Sequence, residues 1–256
     1  MIIGAGLKMH LGPRRTTEWV AAVADLAGRH PALRSGAVEL LVLPTFPMLT
    51  HAVASLSPLG VHVGAQDLFW EDAGPYTGEV SGRELAEIGC SFAEVGHAER
   101  RRLFGETDEI VAAKTAAALR NGLSPVICVG EEQAQEPHEA AAECVRQLQS
   151  AVAQSRRAGL GGRVVVAYEP TWAIGAAAAA RPPYIRTVCT RLKAALSADE
   201  ALAGSRVIYG GSAGPGLLGQ LDGSVDGLFL GRASHDPAAL EAVVEEAAVS
   251  VVSQAT

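Results

Sequence analysis

Cysteine and aromatic residues are scarce in this chain of 256 residues: four cysteines, and 5% Phe, Trp and Tyr together. Cys90, Cys128, Cys144 and Cys189 are widely spaced, with no CxxC pair and no Cys/His spacing of a zinc site. That excludes a disulfide framework and a structural metal, and predicts buried, reduced thiols. No uninterrupted apolar stretch approaches the length that crosses a bilayer, and the apolar part of Met1 to Lys8 is too short for a signal peptide. The expectation is a soluble, cytoplasmic chain. Basic residues are also in deficit, with a net charge of -7 and a pI near 5.5. This argues against a nucleic-acid surface, and the patch Arg100, Arg101, Arg102 is too short to reverse it. An anionic ligand must therefore be held by local groups. Gly4-Ala5-Gly6 continues as Leu7-Lys8-Met9 and lacks the third glycine of a dinucleotide-binding turn.

What is present is core material. Hydrophobic residues make up 48% of the chain and charged ones 19%, enough for a large interior of Ala, Val and Leu. Short apolar runs recur along the whole length: Ile2-Ile3, Val38 to Leu43, Val61 to Val63, Phe92 to Val95, Val126 to Val129, Val164 to Tyr168, Val207 to Tyr209 and Leu228 to Leu230. Between them lie stretches of helical spacing, among them Glu18 to Ala27, Arg83 to Ile88, Glu109 to Leu119, His138 to Val152, Ile185 to Leu196 and Pro237 to Ala247. Continuous apolar strands joined by helical crossovers imply a parallel sheet, and eight such units predict a closed (β/α)8 barrel. The expected organisation is one domain over residues 1–256.

Chemistry-bearing residues stand at the ends of the predicted strands. Lys8 follows the first, His97 the fourth, Glu169 the sixth, Gly210-Gly211-Ser212 the seventh and Gly231 the eighth. In a barrel all of these face the C-terminal mouth, where active sites of this architecture are built. Alone, each has a bland reading: a solvated glutamate, a histidine satisfied by backbone, a surface lysine, ordinary turn glycines. Together they make a pocket. Glu169, between an apolar strand and Pro170-Thr171-Trp172, would be desolvated beside a large ring and become a better base. His97 could polarise a carbonyl or move a proton between oxygens. Lys8 could neutralise a developing oxyanion and a phosphate dianion. The glycines let backbone N–H groups approach an anion closely.

These residues lie in blocks that resemble triosephosphate isomerase over nearly the whole chain. The strongest are Ala167 to Gly175 (AYEPTWAIG), Gly96 to Arg101 (GHAERR) and Tyr209 to Ser212 (YGGS). Gly64-Ala65-Gln66, Thr77-Gly78-Glu79, Phe104-Gly105-Glu106 and Cys128 to Glu131 match as well. The resemblance implies a TIM barrel that moves a proton between the two carbons of an enediolate, with no metal or organic cofactor. It implies that Glu169 is the base, that a neutral His97 is the electrophile and that Lys8 is the electrostatic lysine. Glutamate and histidine in these roles are a standard case of tuned acid-base chemistry. It further implies that Gly175, Ser212 and Gly231 bind phosphate through backbone groups, with Glu99 behind the site. Pro170 to Ala180 would be a mobile lid, latched by Tyr209 and Ser212. The loop 67–79, with Thr77 at its tip, would reach into a second copy and make a homodimer. The partners implied are thus a small phosphorylated sugar and a second copy, with neither nucleic acid nor membrane.

Departures from the family pattern cluster near the expected site. Gly6-Leu7-Lys8-Met9-His10 stands where the family has Asn-Trp-Lys-Met-Asn, which removes a polar substrate contact and a partner for the neighbour's Thr77. The same change is expected to free volume beside Lys8. Ala98 replaces a serine that holds the glutamate when the lid is open. Ala176 to Ala180 replace a glycine-containing hinge and favour a helical turn. Arg232 replaces the second glycine after the eighth strand, adding charge near the expected phosphate site while keeping its N–H. The principal expectation is isomerisation of dihydroxyacetone phosphate and glyceraldehyde 3-phosphate. Two alternatives stand beside it: isomerisation of a four-carbon ketose phosphate such as erythrulose phosphate, and a catalytically silent sugar-phosphate-binding barrel.

Overall fold

A computed structural model describes residues 1–254, so the last two positions of the expected unit lie outside the described residues. Eight strands pair in sequence order, each parallel to the next, and the eighth returns to the first: β1 Ile2–Gly6, β2 Glu39–Leu43, β3 His62–Ala65, β4 Phe92–Val95, β5 Ser124–Val129, β6 Val165–Tyr168, β7 Arg206–Tyr209 and β8 Gly227–Leu230. The fold is the (β/α)8 TIM barrel that the apolar runs predict. Outside it run α1 Pro13–Arg29, α2 Pro31–Arg34, α3 Leu49–Leu56, α4 Gly82–Glu87, α5 Ala98–Phe104, α6 Asp108–Arg120, α7 Pro137–Ala151, α8 Ala153–Arg157, α9 Pro182–Ser197 and α10 Pro237–Gln254.

Strand alternation sorts side chains into two layers. Ile2, Leu41, Val126, Val165, Ile208 and Phe229 fill the barrel interior, whereas Ile3, Leu40, Val166 and Val207 face the helices. Each fully buried aliphatic side chain contributes about 1.5–3 kcal/mol. Helix starts follow local chemistry. Pro13, Pro31, Pro137, Pro182 and Pro237 open their helices, where a missing N–H does no harm. Ser81 caps α4 by accepting from Glu84 N at 3.1 Å, and Thr107 caps α6 at 3.4 Å. Helix α3 and the short α5 were not among the spacings picked out in the sequence. Leu49, Ala52 and Leu56 are the buried face of α3, a pattern only two turns long.

Two expectations change. The run Ala176–Ala180 forms no helical turn. Five residues are too few to nucleate a helix, Gly175 ahead of them is left-handed at φ +73°, and Arg181 before Pro182 is held extended. Leu7 is only 2% exposed and packs among the outer-layer residues, so it frees no space at the mouth.

The four cysteines are buried and unbridged. Two of the three consecutive arginines are engaged in ion pairs, Arg100 with Asp67 at 2.7 Å and with Glu106, Arg101 with Asp108 at 2.7 Å. Among the described residues no helix is long and apolar enough to cross a membrane.

Barrel closure depends on Gly227. Asp226 O accepts from Ile2 N at 2.8 Å, and a Cβ at position 227 would stand 1.7 Å from Ile2 O, with φ at +155° besides. Gly227→Ala is expected to destabilise the chain by more than about 3 kcal/mol in chemical denaturation. An unchanged midpoint would contradict the close approach.

Candidate active site

Lys8, His97, Glu169, Ser212 and Gly231 stand just beyond the ends of β1, β4, β6, β7 and β8, all at the C-terminal mouth. Lys8 and Ser212 are two of the described non-glycine residues with left-handed backbone, φ +48° and +55°. Such strain is typically worth 1–3 kcal/mol per residue and persists where its surroundings enforce it. At Lys8 the enforcement is Gln66, whose amide donates to Lys8 O at 3.0 Å and to Leu43 O at 2.9 Å.

His97 is the N-cap of α5 and accepts from Glu99 N through Nδ1 at 3.1 Å. With Nδ1 an acceptor, the proton of the neutral ring sits on Nε2. That Nε2 points to Glu169, 3.5 Å from Oε2. Glu99 turns the other way and takes the Lys8 ammonium at 2.6 Å. Partial burial opposes its charge, but the hydrogen bond and charge of Lys8 outweigh that and hold the Glu99 carboxyl below its usual range.

Glu169 is buried, and its Oε2 has no hydrogen-bond partner among the described residues. Ala98 offers it no hydroxyl. Two glycines make its place: a Cβ at Gly210 would meet the carboxylate at 2.4 Å, and one at Gly130 would meet Glu169 O at 2.1 Å. Trp172 does not cover the carboxylate as the sequence suggested. Its indole donates instead to Glu131 Oε1 at 2.8 Å and meets Tyr184 edge-on at 5.8 Å.

Glu131 was not picked out in the sequence, although its motif was. It is fully buried and also accepts from Tyr168 Oη at 3.2 Å and Tyr184 Oη at 2.9 Å, tying the start of the lid segment to the barrel. The far side of that segment rests on β7: Ser212 Oγ donates to Ala173 O at 2.8 Å and Ala176 O at 3.1 Å, while Tyr209 Oη accepts from Ala180 N at 3.0 Å. The Ser212 hydroxyl is thereby committed. The backbone N–H groups of Gly175, Ser212 and Gly231 donate to no acceptor among the described residues. They are open to an anion. Arg232 is exposed and forms no ion pair among the described residues.

Glu94, Cys128 and Glu169 bring one ligand atom each within 4.8 Å of one another. The donor set does not suit a metal. Burial pushes the Cys128 thiol well above its ordinary value, so it remains a thiol, and it donates to Glu94 Oε1 at 3.5 Å.

An imidazole facing an unpartnered buried carboxylate, beside an ammonium and open N–H groups, can move protons next to a carbonyl whose oxyanion it stabilises. Fold and mouth together define an isomerase that works by proton transfer beside a carbonyl. The sequence model of the triosephosphate isomerase family matches residues 1–247. The L-erythrulose-1-phosphate isomerase of Pectobacterium atrosepticum is 51% identical over 247 residues, covering 96% of this chain and 95% of that protein. Triosephosphate isomerases of Moorella thermoacetica and Leifsonia xyli are 38% and 41% identical, covering 95% and 82% of this chain and 97% and 83% of theirs. The chain belongs to the triosephosphate isomerase family.

Glu94, inside the barrel, also makes stability depend on pH. Burial, the largest influence, pushes its carboxyl from 4.5 up to about 7. The proton-bound form is therefore favoured in the fold. The group's contribution is fully present below about pH 4.5 and is lost as pH rises through about 7, on the order of 3 kcal/mol. Glu94→Leu is expected to remove this part of the fall in unfolding free energy between pH 5 and 8. An identical pH dependence in both chains would contradict the burial of a protonated acid.

Proposed function

We propose that the chain isomerises a four-carbon ketose phosphate, erythrulose 1-phosphate, in preference to a triose phosphate. The observation that carries this reading is the 51% identity over 247 residues to an L-erythrulose-1-phosphate isomerase, against 38% over 248 and 41% over 217 residues to triosephosphate isomerases.

In this reading Glu169 takes a proton from the carbon next to the carbonyl and returns it to the other carbon. His97 donates through Nε2–H to the carbonyl oxygen as it becomes negative and takes back the proton of the neighbouring hydroxyl, so the ring ends as it began, and Lys8 lowers the energy of the charge. Gly175, Ser212 and Gly231 hold the phosphate through backbone N–H groups, and the Arg232 guanidinium adds positive charge there. Glu99 orients Lys8, and Tyr209 with Ser212 hold the lid segment down, keeping water from the intermediate. In a 1-phosphorylated tetrulose the carbonyl is on C2, and C3 carries both a hydrogen and a hydroxyl. Transfer between them carries the carbonyl to C3 and yields the tetrulose phosphorylated at its other end. The same steps on a triose phosphate would yield an aldehyde.

Rates for erythrulose 1-phosphate and dihydroxyacetone phosphate, measured side by side, test the preference. We expect kcat/KM to be at least about tenfold higher for the tetrulose, the discrimination that one well-fitted group provides. A preference for the triose phosphate would overturn it.

We further propose a cytoplasmic homodimer whose contact is the loop 67–79. Glu71 and residues 73–79 are exposed, and Met9, Phe46, Leu103 and Phe104 expose apolar surface after β1, β2 and β4. Sedimentation at micromolar concentration is expected to give twice the chain mass, and replacing Thr77 and Tyr76 by aspartate to give monomers. A monomeric unmodified chain would refute the dimer.

A further inference from the structure

The barrel interior holds one side chain that its surroundings do not suit. Glu94 projects from the middle of β4 into a layer made of Leu41, Leu43, Phe92, Val126, Ala167 and Phe229, and is 6% exposed. Its carboxyl accepts from the Cys128 thiol, 3.5 Å away on β5. A carboxyl oxygen of Glu94 lies within 4.8 Å of one on Glu169, whose own Oε2 is unpartnered. A buried acid with so little hydrogen bonding is unfavourable as an anion, and two carboxylates this close in an apolar interior do not both ionise freely. Resting on the reading of Glu169 as the base, we propose that Glu94 is a positioning residue: a second carboxyl beneath Glu169 whose proton sets how strongly Glu169 pulls on the substrate's C–H bond.

Titratable groups facing Glu94 come from several elements. They are Glu169 beyond β6, His97 beyond β4, Cys128 on β5 and, farther off, Lys8 beyond β1. On β3, Gly64 and Ala65 add none. Glu94 is the deeper carboxyl and burial favours its neutral form, so of the two Glu94 is the one that holds a proton. While Glu94 is neutral, it puts no charge beside Glu169. Once Glu94 loses its proton, its charge repels that of Glu169. The proton-abstraction step relieves the repulsion, because negative charge leaves Glu169 for the substrate oxygen beside His97 and Lys8. Both the forward and the reverse abstraction start from ionised Glu169, so both accelerate. Activity therefore rises, not falls, as pH carries Glu94 through its ionisation near 7.

The test compares the unmodified chain with Glu94→Gln, which keeps the shape and removes the proton, using erythrulose 1-phosphate and dihydroxyacetone phosphate between pH 6 and 8.5. The substrate phosphate titrates alike for both chains, so their difference isolates Glu94. We expect kcat of the unmodified chain to rise on the order of tenfold beyond that of the variant, the coupling of two charges at this range. We also expect an infrared carboxylic-acid band that disappears over the same interval and is absent from the variant at every pH. Identical pH profiles, or a titrating acid band that persists in Glu94→Gln, would overturn the proposal. Should that variant not fold, Glu94→Asp decides: its shorter stem must move the midpoint of the rise, and an unmoved midpoint overturns the proposal. Failure of the base reading itself looks different, because Glu169→Gln would then keep turning over substrate.

Discussion

Closure of the barrel between β1 and β8 is the constraint on which the site depends. Lys8 enters the mouth from β1 and Gly231 from β8, the first and last strands, and the two come together only because Gly227 lets the backbones meet at Ile2. The seam also sets the interior beneath them. A Cβ at Gly4 would lie 2.5 Å from the Phe229 ring, and one at Gly6 would lie 3.3 Å from it. The absence of side chains at Gly4 and Gly6 is thus the space that the Phe229 ring needs. A glycine that reads in sequence as a lost substrate contact has a packing reason as well.

An acidic protein that holds an anion must concentrate what little positive potential it has. Here the means are local: one ammonium fixed by Glu99, N–H groups left open by the turns after β6, β7 and β8, and an imidazole with its proton aimed inward. Buried carboxylates then divide by their partners. Glu131 takes three hydroxyl or indole donors and serves as an anchor. Glu106 takes Lys114 and Arg100, which hold its carboxyl below the usual range against the opposing effect of burial. Glu94 and Glu169 take almost nothing. Unsatisfied acids are unfavourable for folding, and their placement one above the other inside the mouth ties that penalty to chemistry.

Much of this was legible in the sequence because parallel strands buried on both faces leave continuous apolar runs, and the chemistry follows each run within a few residues. Lys8, His97, Glu169 and Ser212 could be placed at one mouth from strand order alone. Partners could not. Tyr168, Trp172 and Tyr184 reach Glu131 across 37 to 53 positions, and Gln66 reaches Lys8 across 58. No local pattern encodes such pairs, which is why Trp172 was assigned to the wrong carboxylate. Glu94 was hidden for a different reason: within Phe92 to Val95 it reads as the polar interruption of a strand, and only the closed barrel turns it inward toward Glu169. The alanine run misled because propensity was read without its flanks, a left-handed glycine and a proline pair.

The central claim is proton transfer by Glu169 between adjacent carbons. Its most direct measurement is proton magnetic resonance of erythrulose 1-phosphate incubated with the chain in heavy water. Solvent deuterium is predicted to enter at the carbon beside the carbonyl, at a rate no slower than isomerisation by more than the competition from direct transfer. Turnover with no deuterium in product or recovered substrate, or no turnover of any sugar phosphate, would contradict it.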